Sequence, residues 1–338
     1  MGAEAAGAPG TVRERARPLV TAFLVLLVSC GSAAPRPEPL AGNGLIAFVP
    51  PDPRDIGISL LDPGSGEVRT LTADVRDVTS LAWSPDGTRI AFVLGQDLGI
   101  GVVDANTAQS RILTKGWFPP ETTFSGPAWS PDAARIAFAA GGVPSEIECE
   151  GLECLLFVQS HIYVMDVDDG FPISLTGDDV LSADPTWSPD GKRIAFVAVS
   201  PPEPESQEPQ GRPQIYVMDA DGGSVKRLTS FNLQPRALAW SPDGASLAFG
   251  TLSSDIFVMD ANGASPRQIV ASLVAPDGSF ENGEPAWSPD GRRLLFTRSA
   301  EDGYAVWVVD ADGSGQRKLI PGCCASWQPV SDQQWPEG

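Results

Sequence analysis

Residues 187–196 read Trp-Ser-Pro-Asp-Gly-Lys-Arg-Ile-Ala-Phe, and this motif decides the fold of the chain. Pro189 presets the backbone for a turn and Gly191 supplies the positive φ that a tight reversal needs, so the motif predicts a hairpin between two short strands. The motif recurs at intervals of 40 to 58 residues, which is the length of one four-stranded propeller blade. Its copies begin at Trp83, Trp129, Trp187, Trp240 and Trp287, and a degenerate copy surrounds Trp327.

Each repeat divides into four predicted strands, named A to D. Strand A ends in the tryptophan, and strand B is the Ile-Ala-Phe triplet at 194–196. Strand C has the pattern Ile-Tyr-Val-Met-Asp, as at 162–166, and an Asp/Gly turn such as 219–222 leads to strand D at 226–229. Because these segments are rich in β-branched and aromatic residues, they predict an all-β fold.

The two ends of the chain complete one further blade between them. Residues 45–72 supply strands B, C and D without a strand A, and the missing strand A surrounds Trp327. Such a closure leaves no exposed sheet edge between the first and last blades. The sequence therefore predicts a six-bladed β-propeller over residues 44–329, followed by a C-terminal tail at 330–338.

The Trp-Ser-Pro-Asp repeats resemble the WD-like, Pro-Asp repeats of the TolB-like propeller family, and the resemblance extends over residues 44–329. It implies the six-bladed fold. It leaves function open, because propellers serve as binding proteins, lyases, lactonases and peptidase gates.

The first residues have the character of an export signal. Three arginines at positions 13–17 precede an apolar run at 19–28, which is short for a membrane span and typical of a signal peptide. The run ends in Leu-Val-Ser-Cys, similar to a bacterial lipobox whose cysteine, here Cys30, receives the lipid. Ordinary cleavage a few residues later and an uncleaved anchor are the alternatives.

On this interpretation residues 1–29 are removed, and residues 30–43 form a lipidated, Pro-rich tether. The protein is then expected to be extracytoplasmic, anchored by lipid to a bacterial membrane, and monomeric. The formal net charge of −20 argues against a nucleic-acid partner, since phosphate contacts require clustered Lys and Arg.

All long connections are predicted at one end of the propeller. In an antiparallel blade the A–B and C–D turns lie at one end, and the B–C and D–A connections lie at the other. The long insertions all belong to the second group and span residues 115–126, 141–160, 200–213, 230–236 and 271–283. Variation confined to one end predicts that the ligand binds there.

Two groups of residues at this end are candidate ligand contacts. The aromatic candidates, which alternatively pack beneath their own loops, are Trp117, Phe118, Phe231 and Phe280. The charged candidates stand near the start of strand A, where they either line a funnel that binds a cation, amine or peptide or remain solvated; they are Asp184, Arg236 and Glu284.

The aspartates of the repeats are interpreted as turn residues rather than calcium ligands, because the third ligand and the final Glu of an EF-hand are missing.

Cys149 and Cys154 are candidates for a disulfide, and Cys323 and Cys324 for a vicinal bond or a reduced pair, with a four-thiolate zinc site as the alternative. His161 has no nucleophile elbow beside it and is interpreted as structural.

These features predict a binding platform for an envelope protein, peptide or glycan, without a catalytic constellation or a required cofactor. The alternative is a propeller enzyme, a lactonase-like hydrolase or a polysaccharide lyase, in which Asp184 and Glu284 hold a metal such as calcium at the channel mouth.

Overall fold

The computed structural model of the protein describes residues 44–51, 57–95, 99–142, 160–168, 170–177, 181–199, 212–230, 232–272, 282–300 and 303–329. The predicted signal peptide, Cys30, the tether and the C-terminal tail lie outside these residues, as do Cys149, Cys154, Phe231 and Phe280. Within the described ranges there is no helix long and apolar enough to cross a membrane.

The described residues form short strands throughout. In chain order they are β1 (Ile46–Val49), β2 (Ile58–Leu61), β3 (Val68–Thr72), β4 (Val78–Trp83), β5 (Arg89–Leu94), β6 (Gly99–Asp104), β7 (Ser110–Ile112), β8 (Thr123–Trp129), β9 (Arg135–Gly141), β10 (Ser160–Asp166), β11 (Ile173–Ser174), β12 (Leu181–Trp187), β13 (Arg193–Val199), β14 (Gln214–Asp219), β15 (Lys226–Arg227), β16 (Pro235–Trp240), β17 (Ser246–Thr251), β18 (Ile256–Asp260), β19 (Arg267–Val270), β20 (Asn282–Trp287), β21 (Arg293–Ala300), β22 (Gly303–Asp310), β23 (Arg317–Pro321) and β24 (Cys323–Trp327).

These strands make six antiparallel sheets of four strands each. Blade I has the order β24-β1-β2-β3, and blades II to VI contain the remaining strands in consecutive groups of four, beginning with β4–β7. The innermost strands β4, β8, β12, β16, β20 and β24 contact one another in turn around a closed ring. The predicted all-β, six-bladed propeller is confirmed.

The two ends of the chain meet in blade I, as the sequence predicts. β24 pairs with β1 in antiparallel register, with Ile46 opposite Trp327. The amide of Gln328 donates to the Leu45 carbonyl oxygen at 2.7 Å, and its side-chain amide donates to the carbonyl of Gly87 in blade II at 2.9 Å. The C-terminal strand therefore completes one blade and also fastens it to the next.

The turns between strands A and B are built alike, which explains the Ser-Pro-Asp motif. In the turn after β12 the Ser188 hydroxyl donates to the Asp190 carboxylate at 2.6 Å, and that carboxylate accepts the amide of Lys192. The Ser188 oxygen in turn accepts the amide of Arg193 at 3.0 Å. The same contacts recur in blades II, III, V and VI, so these aspartates are satisfied within their own turns.

The core lies between blades. The strand B phenylalanines are fully buried; they are Phe92, Phe138, Phe196, Phe249 and Phe296. The repeat tryptophans are buried or nearly so and pack beside the preceding blade, as Trp129 does against the β4–β5 hairpin through its indole N–H, which donates to the Ala82 carbonyl at 3.0 Å.

The antiparallel order separates the turns from the long connections. The A–B turns at 84–88, 130–134, 188–192, 241–245 and 288–292 lie at one end of the blades. The connections β7–β8, β9–β10, β13–β14, β15–β16 and β19–β20 lie at the other, which we call the long-loop end. Strand A begins there, and β8 starts at Thr123, inside the loop predicted at 115–126.

Candidate functional site

A central channel runs through the ring of innermost strands. It has a volume of about 660 Å³ and is lined along its length by strand A of each blade and by the prolines that follow the tryptophans. Such a volume is typical of ligand sites in proteins. Of the described residues that line the channel, Asp184 and Glu284 are the two with ionisable side chains.

One position in strand A has an unusual backbone conformation. The third residue before the tryptophan has a left-handed backbone, with a break in the pairing to strand B, in five of the six blades. These residues are Gly126, Asp184, Ala237, Glu284 and Cys324. A residue other than glycine in this conformation is strained, and such strain concentrates where a side chain must be aimed at a ligand or a partner.

Asp184 in β12 is held by its neighbours on both sides. Its carboxylate accepts the backbone amide of Ala237 in β16 at 2.8 Å and the hydroxyl of Ser125 in β8. Removal from bulk water raises the pKa of Asp184 above its usual range, although these hydrogen bonds and the nearby charge of Arg236 act in the opposite direction. The carboxylate thus spans blades III, IV and V.

Glu284 in β20 lies near enough to Asp184 for the two charges to interact. Removal from water and the negative charge of Asp184 raise the pKa of Glu284 to about 7, while Arg236 and a hydrogen bond from the Cys324 thiol lower it. Glu284 is half-buried and in contact with the channel. A carboxyl with this pKa exchanges its proton near neutral pH, and a bound cation favours its charged form.

Arg236 stands one residue earlier than Asp184 and Glu284 relative to the tryptophan of its blade, so Ala237 takes the channel-facing position in β16. The guanidinium lies close enough to both carboxylates to lower the pKa of each. The structure therefore brings the three predicted charges into one cluster, but only the carboxylates line the channel.

The predicted aromatic candidates divide between surface and interior. Trp117 in the β7–β8 connection is 55% exposed, and its ring lies 6.3 Å from that of Phe171. Phe118 turns inward and packs edge-on against Phe124 and Tyr163, with ring centroids 5.2 and 5.1 Å away. Phe118 therefore occupies the position that the alternative interpretation gives it, beneath its own loop. Phe231 and Phe280 lie outside the described residues.

The vicinal cysteines border the same cluster. Cys323 and Cys324 in β24 are not bonded, and their sulfur atoms are 2.9 Å apart. The single proton of the Cys324 thiol is shared between two acceptors, the Cys323 sulfur and the Glu284 carboxylate. Cys324 and Glu284 each stand three residues before the tryptophan of their repeat. This correspondence is the feature of the sequence from which their contact could have been predicted.

The pair of carboxylates in the channel is suited to binding a cationic group. Two carboxylates with raised pKa values favour any ligand that supplies a compensating positive charge, such as an ammonium, a guanidinium or a metal ion. Among the described residues no group of three or more His, Cys, Asp and Glu side chains is arranged to hold a metal ion.

Comparison with known proteins identifies the family. The model of the TolB beta propeller domain matches residues 156–331, just over half of the chain. The chain belongs to the TolB β-propeller family. A second model, the WD domain G-beta repeat, matches residues 65–97 in blades I and II.

The relatives of this TolB-like propeller are distant. The chain is 27% identical over 205 residues to the Tol-Pal system protein TolB of Gluconobacter oxydans, a match that covers 48% of this chain and 43% of that protein. The TolB structure from Acinetobacter baumannii superimposes with a TM-score of 0.63 at 23% identity, over 85% of this chain and 67% of that one. An oligogalacturonate lyase in complex with manganese shares the fold, with a TM-score of 0.51, 16% identity and coverage of 78% and 70%. The chain spans less than half of the length of the curated TolB that it matches.

Proposed function

We propose that this TolB-like propeller is a lipid-anchored protein of the bacterial cell envelope that binds a segment of another protein at its long-loop end. A cationic group of that segment enters the channel mouth and pairs with Asp184 and Glu284. The observation that carries the proposal is the location of these two carboxylates, which face a channel of ligand size on the strands that begin at the long-loop end.

Two further observations support a protein partner. Trp117 exposes more than half of its surface in the same set of connections, and exposed aromatic side chains are frequent anchors of protein interfaces. The relative from Gluconobacter oxydans is named as one protein of a Tol-Pal system, which is consistent with a role in an assembly. The envelope location and the anchor rest on the pattern at residues 1–43, including Cys30.

A site-specific photo-crosslinker tests the binding end directly. Thr79 is exposed and lines the channel, whereas Lys192 is exposed in an A–B turn at the opposite end. A benzophenone amino acid replacing Thr79 is expected to capture a partner in intact cells, and the same group replacing Lys192 is expected to capture none. Equal capture from both positions would overturn the proposed binding end.

The double variant Asp184→Asn/Glu284→Gln tests the role of the charges. Losing charged hydrogen bonds to a cationic group is expected to weaken capture through the Thr79 crosslinker by about tenfold or more. Unchanged capture would remove the carboxylates from the binding site. A stoichiometric metal ion in the purified protein, lost in the double variant, would favour the enzyme alternative instead.

The anchor is tested by growth with an alkyne-labelled fatty acid. The chain is expected to incorporate the label and to fractionate with membranes, and Cys30→Ala is expected to lose both properties. Label that persists in the variant would exclude Cys30 as the acylated residue.

A further inference from the structure

The vicinal cysteines break a rule of strand geometry. Consecutive side chains of a regular strand point to opposite faces, so neighbouring cysteines normally keep their sulfurs apart. In β24 the left-handed backbone of Cys324, with φ of 59°, coincides with a shift in the pairing to β1. The amide of Cys324 donates to the Thr297 hydroxyl at 3.1 Å. The bulge thereby turns both thiols to one side, with their sulfurs 2.9 Å apart.

We propose that Cys323 and Cys324 form a reversible redox site that is oxidised to a vicinal disulfide by thiol–disulfide exchange, with Glu284 receiving the proton of Cys324. A disulfide bond of about 2.0 Å requires the sulfurs to approach by only about 1 Å. The Cα atoms of adjacent residues are about 3.8 Å apart, which is shorter than disulfides usually bridge. A bond between adjacent residues is therefore strained, and strained disulfides are readily reduced again.

The two thiols have different roles in this exchange. Cys323 is partly exposed, and the hydrogen bond from Cys324 lowers the pKa of its thiol. Cys324 is 9% exposed, and the contacts with Cys323 and burial raise the pKa of its thiol. Because the thiolate is the nucleophile, Cys323 attacks first and Cys324 resolves the mixed disulfide.

The reaction balances with a disulfide R–S–S–R as the oxidant. The Cys323 thiolate attacks one sulfur of the oxidant, its S–S bond breaks, and R–S⁻ leaves with the proton that Cys323 has given up, as R–SH. Cys324 passes its proton to the Glu284 carboxylate and attacks the Cys323 sulfur, and the second R–S⁻ departs. That thiolate takes the proton from Glu284, so the products are the protein disulfide and two R–SH.

Oxidation also changes the lining of the channel. In the dithiol the proton of the Cys324 thiol is shared between the Cys323 sulfur and the Glu284 carboxylate, and the contact with Glu284 favours the charged carboxylate. A disulfide has no proton to donate, so the carboxylate loses that donor. The redox state of the cysteines is therefore linked to the charge that the channel presents, whatever ligand the channel binds.

The test uses the full chain with Cys30, Cys149 and Cys154 replaced by serine, reduced and then exposed to glutathione disulfide. Intact mass is expected to fall by two hydrogen atoms with little glutathione adduct remaining, and tandem mass spectrometry is expected to place the bond between Cys323 and Cys324. Added reduced glutathione is expected to reverse the change. An adduct that persists, or no reaction, would overturn the proposal.

Single variants test the assignment of roles. Cys324→Ser is expected to retain a stable glutathione adduct on Cys323, and Cys323→Ser is expected to react at least about tenfold more slowly. Equal rates would contradict the assignment. Cooperative thermal unfolding of each variant excludes misfolding as the cause, and peptide mapping of the transient adduct in the parent chain locates the attacking cysteine independently.

The role of Glu284 has a control in a carboxylate outside the channel, Asp190 in the A–B turn after β12. Glu284→Gln is expected to lengthen the lifetime of the mixed disulfide on Cys323 by at least about tenfold, because no base then takes the Cys324 proton. Asp190→Asn is expected to leave that lifetime unchanged, because Asp190 is bonded within its own A–B turn and takes no part in the channel. Equal lifetimes in Glu284→Gln and the parent chain would remove Glu284 from the exchange.

Discussion

The guanidinium of Arg193 in blade IV lies over the indole ring of Trp240 in blade V, with its central carbon 5.2 Å from the ring centroid. Arg89 stacks on Trp129 at 4.9 Å and Arg135 on Trp187 at 4.8 Å. The first residue of strand B therefore covers the tryptophan of the next blade three times in succession. Each stack joins two blades that share no backbone hydrogen bonds within a sheet.

This stack predicts a measurable contribution to stability. Arg193→Ala is expected to lower the free energy of unfolding by about 1 kcal/mol, because it removes a cation–π contact and the packing of the arginine stem. Denaturant unfolding measures the change. Ser246 holds the equivalent position before Trp287, so Ser246→Arg is expected to raise stability. A loss with Arg193→Ala equal to that of an exposed Arg292→Ala control would show that the stack contributes nothing.

Gly263 in blade V is predicted to be irreplaceable without loss of stability, because the backbone of blade IV lies against it. Gly263 has φ of +91°, and a Cβ atom there would lie 2.3 Å from the Leu228 carbonyl oxygen in blade IV. Gly66 occupies the corresponding turn of blade I with φ of +77° and no atom within 4 Å of an added Cβ. Both alanine variants carry the strain of a left-handed backbone, of about 1 kcal/mol.

Gly263→Ala adds a collision with the backbone of the adjacent blade and is expected to cost about 1–3 kcal/mol more than Gly66→Ala. Urea unfolding of the two variants side by side gives this difference. Equal losses would mean that the contact between blades relaxes without cost.

The sequence predicts the blades better than the channel. Trp187, Pro189 and Gly191 each have one physical role that recurs in the repeats, so strand, turn and blade count can be read from them. The left-handed bulge in strand A could not be predicted in this way, because the residue at its position differs between blades, as Gly126, Ala237 and Cys324 show. A positive φ can be predicted from sequence where the residue is glycine, and most residues at this position are not glycine.

Residues near the start of strand A are also hard to orient from sequence. Arg236 and Glu284 are grouped together by their place before the tryptophan, yet a displacement of one residue sends Arg236 out of the channel lining. Trp117 and Phe118 are adjacent and aromatic, but Trp117 is exposed whereas Phe118 packs into an aromatic cluster that contains Tyr163. Such outcomes depend on neighbouring blades and not on local pattern.

Closure of the ring predicts where the chain tolerates truncation. Ending the chain at Pro321 removes β24, leaves the edge of β1 without its partner, and exposes the cluster around Trp327 that includes Phe48 and Val308. We expect this truncation to abolish cooperative unfolding. Ending the chain at Pro329 keeps β24 and is expected to preserve the melting temperature. A cooperative transition in the shorter chain would contradict closure as the source of stability.

Glu284 predicts a pH dependence of stability with a definite sign. Its pKa is about 7 in the folded protein, raised from the ordinary value of 4.5 chiefly by burial. Between these two values the folded state binds the proton more tightly than the unfolded state. The stabilisation is therefore complete below about pH 4.5 and is lost as the pH rises through about 7. A shift of this size, reduced because Glu284 touches the channel, corresponds to about 1–3 kcal/mol.

Glu284→Gln is expected to remove that slope, so that the variant is more stable than the parent at pH 8 and nearly equal to it at pH 5. Urea unfolding across this range measures the difference. Asp190→Asn is the control, because hydrogen bonds from Ser188 and Lys192 lower the pKa of Asp190, and its contribution is lost only as the pH falls below about 4. The free energies of unfolding of the parent and of Glu284→Gln could instead change in parallel from pH 5 to pH 8. The Glu284 carboxyl would then have the same pKa in the folded and unfolded chains, which would contradict its burial beside the channel.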